Sequence, residues 1–368
     1  MNNLSFGMRK NEIGSDFSLE KEYWNAHFDD CYFSLESFPE NSVFLSTCRS
    51  AIALILDGLP KGRIKRALVP GFTCHSVLDP FLKKGYQVYP YPVNNDLSVQ
   101  WQLFDDLVEQ IAPSVILLHS YFGFNTLSGG SNRLADYRKN GIIVIEDQTQ
   151  RLFSSFVSVE ADYYVGSIRK WMPIPDGAFL SPYRQVVFPE DVELVQSKIS
   201  AFINKERYLL GEQVFKDEFL EQFRQAEVLL DCRETPFAMS SISKGLFSMF
   251  DIERISFIRR NNYEVLARRF VACSELQVLF PELPEDVVPF LFPVLVPHGR
   301  KELQSYMASH DVYPTVIWAC PDSFTEIIQP SVRVVFEEIL CFHCDQRYSV
   351  SDMNRIGDLL DSFFQNRS

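Results

Sequence analysis

The stretch ADYYVGSIRKWMPIPDGAFL, Ala161 to Leu180, decides how the rest of the chain is read. Tyr163 to Ile168 is a β-type run that delivers Ser167 and then Lys170 into a loop broken by Pro173, Pro175 and Gly177, after which Ala178 to Leu180 is apolar again. The lysine is therefore held on a turn between two buried strands. A lone lysine is most often a solvated charge. Three features argue for a tethered one: Ser167 lies three residues before it, apolar runs flank it, and a buried-type strand ending in Glu146 and Asp147 lies upstream.

Towards the N-terminus, Ile142 to Asp147 is a β-branched run closed by two acids, and Val115 to Ser120 is a second buried-type strand with the loop Tyr121 to Asn125 at its carboxyl end. Helical patterns separate such runs, at Leu134 to Lys139 and at Phe104 to Ile111. Tyr86 to Tyr91 is another short strand. Before it, Ala67 to Ser76 passes from a strand through a Pro-Gly turn into a helix ending near Gly85. Further back, Val43 to Ser50 leads from a strand into a helix with Ala51, Ile52, Leu54, Ile55 and Leu59 on an apolar stripe. Buried strands alternating with helices indicate a mainly parallel sheet covered on both faces. Ligands collect at the carboxyl ends of such strands, where Asp147, His119, Ser167 and the loop after Val69 fall. The helix start after Thr47 offers free N–H groups and the positive end of a dipole to a phosphate. Ser46, Thr47 and Ser50 are equally suited to capping that helix.

After about residue 185 the character changes. Glu190 to Ala226 and Ile242 to Cys273 carry helical spacing, and a smaller α/β unit follows. Its expected parts are a strand Val288 to Val296, a helix Arg300 to His310, strands Val312 to Ile317 and Ile339 to His343, and a last helix Asp352 to Phe364 with one apolar face. Residues 1 to 42 carry little functional signal beyond a helix around Leu19 to His27. The expected division is a large domain, 1–240, including the N-terminal segment, and a small C-terminal domain, 241–368.

With 46% hydrophobic and 23% charged residues over 368 positions, the composition is that of a soluble globular protein. A formal charge of −13 disfavours nucleic acid as a partner and leaves a small molecule. No apolar run approaches the ~18 residues of a membrane span, and Met1 to Phe17 lacks a signal-peptide core, so a cytoplasmic location is expected. Eight cysteines are too sparse for a disulfide framework. The CxxC of Cys341 and Cys344 has no second ligand pair to complete a zinc site, so no metal is expected. The alternation of Ile339, Cys341 and His343 fits a strand with one buried face.

With these pieces in place the sequence resembles the fold-type I pyridoxal-phosphate enzymes, and among them the DegT/DnrJ/EryC1/StrS sugar aminotransferases, most firmly from Thr47 to Leu180. Glu146, Asp147 and Gln150 resemble the family's ED-x-x-Q motif, and Ser167 and Lys170 resemble S-x-x-K. The resemblance implies that Asp147 pairs with the pyridinium nitrogen, Gln150 bonds the ring 3-oxygen, Ser167 holds the phosphate and Lys170 bonds the cofactor aldehyde. Cys48, Arg49 and Ser50 stand in the place of the G-T-x-A-L phosphate loop, with a cysteine where glycine is usual. Many relatives place an aromatic residue after the threonine of the segment matching Phe72 and Thr73. Here that position is Cys74, and His75 either takes over the stacking or is an ordinary helix-start histidine. The family's S-F-x-x-x-K form is also missing. The implied protein is an α/β fold-type I homodimer with pyridoxal 5'-phosphate that transfers an amino group, with glutamate as donor, to a nucleotide-linked keto sugar. Other pyridoxal-phosphate chemistry, such as amino-sugar dehydration or a reaction of an amino acid, and a non-catalytic binding descendant are the alternatives.

Overall fold

The computed structural model describes residues 10–24, 38–156, 158–233 and 235–365. In chain order these hold β1 (Ile13–Gly14), β2 (Val43–Leu45), α1 (Cys48–Gly58), β3 (Arg66–Pro70), α2 (His75–Lys83), β4 (Gln87–Tyr91), α3 (Trp101–Ile111), β5 (Val115–His119), α4 (Ser131–Lys139) and β6 (Ile143–Asp147). Next come β7 (Tyr163–Ser167), β8 (Ala178–Ser181), α5 (Val192–Leu209), α6 (Lys216–Cys232), α7 (Ser241–Met249) and α8 (Ile252–Phe270). Then follow β9 (Gln277–Val278), β10 (Phe292–Leu295), α9 (Arg300–Ala308), β11 (Val312–Tyr313), α10 (Pro330–Glu338), β12 (Ile339–Phe342) and α11 (Val350–Gln365).

Seven strands form one sheet in the order β2-β8-β7-β6-β5-β3-β4. From β7 to β4 every pairing is parallel, while β8 runs antiparallel to both β7 and β2. Parallel strands need crossovers and so are buried on both faces; every residue of β5 is buried. The antiparallel return of β8 is what the Pro- and Gly-broken loop after Lys170 provides. Gly166 lets β7 and β8 pack closely: a Cβ there would lie 2.5 Å from the Phe179 ring. The carboxyl ends of β3, β5, β6 and β7 consequently share one edge, and α1 begins beside β7 and β8.

Three shorter strands form an antiparallel sheet in the order β12-β10-β9. A separate parallel pair joins β1 to β11, with Ile13 opposite Val312. Among the described residues no helix is long and apolar enough to cross a membrane.

The helical spacing of Glu190 to Ala226 forms two helices, the chain turning at Gly211, where φ is +76°. That of Ile242 to Cys273 also forms two, with Asp251 capping α8 through Arg254 N–H. Other expectations are corrected. The strand expected from Val312 to Ile317 stops at Tyr313, before Pro314, and α10 was not anticipated. Both faces of β12 are buried, with α9 packed on it, and its free edge is bridged by Thr315 at Cys341. Of the helix expected around Leu19 to His27, only a 3₁₀ turn at Lys21–Tyr23 is formed within the described residues, and 25–37 lie outside them.

Candidate active site

Asp147 ends β6 in register with His119 at the end of β5 and Val165 in β7. Its Oδ1 accepts the Thr149 N–H at 2.8 Å. Thr149 then ties the neighbourhood together: its Oγ1 accepts the Ser167 N–H at 3.0 Å, and its carbonyl accepts the indole N–H of Trp171 at 2.6 Å. Lys170 stands on the 3₁₀ turn Ile168–Lys170, immediately after β7. Fully buried Trp171 anchors that turn from behind, with the Arg259 guanidinium 4.5 Å over its ring. The loop is fastened at its far end by Asp176, whose carboxylate accepts from Ser240 N–H, Ser240 Oγ and Ser243 Oγ at the start of α7.

Asp147, Ser167, Lys170, Cys48 and Arg49 line one recess of about 40 Å³, together with Thr149, Ser76 and Val77. Thr47 caps α1 by accepting the Ser50 N–H at 3.1 Å, leaving the amides of Cys48 and Arg49 without an intrahelical acceptor at the recess wall. The Arg49 side chain reaches outward to Asp231, at 2.5 Å. Ser50, bonded to Thr47, lines a neighbouring hollow rather than the recess. Gln150 is buried, with its Oε1 accepting the Phe122 N–H at 2.7 Å, and lines neither space around Lys170. His75 is exposed at the first position of α2, and Ser76 and Val77 face the recess in its stead.

The electrostatics are those of a site awaiting a cation. Burial pushes the Asp147 carboxyl above its ordinary range, against the opposing pull of Thr149 and Lys170. Among the described residues Asp147 makes no ion pair within 4 Å. Burial raises the Cys48 thiol well above its usual value, and Asp147 pushes the same way. Burial lowers His119 to about 3, so its imidazole is neutral; its Nε2 and the hydroxyls of Thr73 and Ser120 are buried without a partner. A buried unpaired carboxylate, open helix-start amides and an amine suit the pyridinium, phosphate and aldehyde of pyridoxal phosphate, so the donor set fits the group chemically; the recess itself is smaller than that group and adjoins the larger space at Arg169 and Lys170.

Lys170 and Arg169 also line a second, larger cavity of about 470 Å³. Its walls include Lys198, Glu227, Arg259, His343 and Arg347. Glu227, half exposed, sits 3.5 Å from Arg169 and 2.5 Å from Lys198, and these cations hold its carboxyl down at about 2. Thr149, Trp171 and the 343–347 wall were not found from sequence. Only Thr149 had a local signal, inside the acidic motif.

No known protein-family profile matches the sequence, and no curated protein matches it in sequence. Solved structures do match in shape. Helicobacter pylori PseC, an aminotransferase involved in pseudoaminic acid biosynthesis, superposes with a TM-score of 0.70 at 13% identity, over 97% of this chain and 100% of that one. The aminotransferase TlmJ from Streptoalloteichus hindustanus gives 0.66 at 16%, over 89% and 86%. A DegT DnrJ EryC1 StrS aminotransferase from Brucella abortus gives 0.62 at 14%, over 88% and 85%. With its lysine after β7 and its aspartate at the end of β6, the chain has the α/β architecture of the fold-type I pyridoxal-phosphate aminotransferases.

Proposed function

We propose that this protein is a pyridoxal-phosphate-dependent aminotransferase acting on a keto sugar. The observation that carries the reading is the placement of Lys170 and Asp147 on one recess at the carboxyl edge of the sheet. Asp147 would face the ring nitrogen, Ser167 and the first amides of α1 the phosphate, and Lys170 the aldehyde. When bound, the cofactor supplies an electron sink for the bond broken at the amino-bearing carbon. The protein does the rest. The Asp147 carboxylate keeps a proton on the atom it faces, Thr149 and Trp171 fix the strand ends around it, and Lys170 Nζ is placed to carry a proton to and from the reacting carbon. The larger cavity beyond Lys170 has room for the substrate. The finer parts of the reading are a nucleotide-linked sugar, glutamate as donor, a role for Gln150 at the ring oxygen, a large domain 1–240 with a small domain 241–368, and a cytoplasmic homodimer. The motif resemblance supports them, except the cytoplasmic location, which rests on the lack of a signal-peptide core and of a membrane-length apolar run in the sequence.

The test is spectroscopic. The purified protein with added pyridoxal phosphate is expected to show the visible band of lysine-bound cofactor, which Lys170→Ala abolishes, and glutamate is expected to convert wild type to the pyridoxamine form. Absence of the band overturns every enzymatic reading. Persistence of the band with every amino donor would turn the assignment to other chemistry on this scaffold.

A further inference from the structure

The charged groups of the large cavity are nearly all matched within the protein. Arg259 donates to Gln346 Oε1 and to the carbonyls of Pro289, Phe290 and Trp171. Arg347 grips Asp345 with two bonds of 2.8 Å and donates its remaining Nη1 to the carbonyls of Ser15 and Asp16. Glu227 is shared by Arg169 and Lys198. Besides Lys170, the side chains of Ser15, Asp16, Thr315 and His343 line the cavity with no hydrogen bond among the described residues, and of these only the His343 ring is oriented by a charged neighbour. His343 lines the cavity and keeps 15% of its side chain open, and its Nε2 has no hydrogen-bond partner among the described residues.

The other edge of that ring is fixed. Nδ1 lies 3.4 Å from Asp345 Oδ2, and the Arg347 fork holds this carboxylate ionised, well below the usual range. A carboxylate can only accept, so this contact favours the tautomer with the ring proton on Nδ1. The Cδ2 edge rests against Gly14: a Cβ there would lie 3.1 Å from it and would collide with the Tyr313 carbonyl, and φ at Gly14 is +108°. Burial lowers the imidazole from its ordinary value, with Arg347 and Lys205 pushing the same way and Asp345 opposing. The ring is thus neutral, oriented, and presents a bare lone pair at Nε2.

We infer that His343 Nε2 accepts a hydrogen bond from a hydroxyl of the substrate, making His343 a specificity-determining residue with Asp345 and Arg347 as its positioning residues. A neutral acceptor offers nothing to a carboxylate, phosphate or keto oxygen, all of which are acceptors too. It selects a polyhydroxylated keto compound over a simple keto acid. This rests on the aminotransferase reading and adds to it the group that reads the sugar.

The test uses the cofactor-loaded enzyme with a nucleoside-diphosphate-linked 4-keto-6-deoxyhexose, and with analogues lacking one further ring hydroxyl. His343→Asn keeps a donor towards Asp345 and withdraws the Nε2 acceptor; His343→Gln places an acceptor back near the Nε2 position. The expected result for His343→Asn is a KM for the keto sugar raised about 10- to 100-fold. Its kcat should stay within about threefold, with an unchanged KM for the amino donor and an unchanged melting temperature. His343→Gln should recover most of the loss, and one of the deoxy analogues should bind wild type and His343→Asn alike. An unaltered KM in His343→Asn, or equal rises for sugar and donor, overturns the inference while leaving the aminotransferase reading intact. If wild type turns over no keto sugar at all, both fall together.

Discussion

Asp147 and Asp345 are buried to nearly the same degree, 5% and 2% exposed, yet their carboxyl groups move in opposite directions. Desolvation acts on both. Asp345 is answered from inside the protein by the two-bond fork of Arg347 and by His343, and its charge is stable where it stands. Asp147 is answered only by the Thr149 bonds and the nearby field of Lys170, and its charge is left costly. The difference separates a carboxylate whose charge is matched inside the protein from one whose charge is not.

The largest effect is expected from breaking the Asp345 side of this comparison. Arg347→Met leaves a buried charge unpaired and should cost about 3–5 kcal/mol in urea unfolding at neutral pH. Because the native carboxyl is depressed, its contribution in wild type is present above the unfolded value and is lost only as pH falls through the depressed native one. The variant should lose its acid resistance at a higher pH than wild type.

Asp147→Asn should act oppositely on stability and on activity. With a raised native carboxyl, cofactor-free wild type loses stability as pH rises from the unfolded value through the native one. The variant should lack that loss and melt higher near neutrality. Its kcat should fall about 10²-fold or more, as expected when a preorganised charge at the reacting system is removed. Equal melting temperatures for the two cofactor-free proteins across that range would remove the contrast between the two aspartates.

Lys205, buried behind the Asp345 wall and donating to the Asp16 carbonyl, is a cation whose burial outweighs the carboxylates of Asp16, Glu12 and Asp345 that favour its charge. Burial lowers it from 10.5 to about 7, with Arg347 adding to the shift. The unfolded chain therefore binds the extra proton between those values, so wild type should gain stability as pH rises from about 7 towards 10.5. Lys205→Met should flatten that rise and add on the order of 1–2 kcal/mol at neutral pH, read by thermal unfolding against pH.

The smallest effect concerns the intermediate case, Asp176, fully buried and raised by burial, and held by hydroxyls and an amide rather than by a cation. Ser240→Ala removes one of those donors and should cost about 1 kcal/mol. The same variant should loosen the Lys170 loop enough to raise amide exchange between Trp171 and Gly177.

The Asp147 side of the comparison was legible in the sequence and the Asp345 side was not, for a physical reason. Asp147, Ser167 and Lys170 each sit at the end of a buried β-branched or aromatic run, and parallel strands bring such ends to one edge without further information. The acid-to-lysine arrangement therefore followed from local pattern. His343, Asp345 and Arg347 follow β12, but what they face comes from residues 13–17, about 330 positions away, and from Lys205 of α5, about 140 away. No spacing rule reports that meeting. The alternation at Ile339, Cys341 and His343 even pointed to a half-exposed strand, because it could not show that every residue of β12 is buried under distant elements such as α9. His75 illustrates the reverse error of resolution: the motif located the α2 start, while a one-residue rotation decides that Ser76 and Val77 face the recess.

The N–H of Gly14 donates to the hydroxyl of Tyr348 at 2.7 Å, across a separation of 334 residues. The recess on the sheet joins Cys48 to Lys170 and makes no use of the strand that carries Gly14, whereas the wall around His343 rests on it. A disturbance of that N-terminal strand should therefore reach the neighbourhood of His343 and leave the recess as it is.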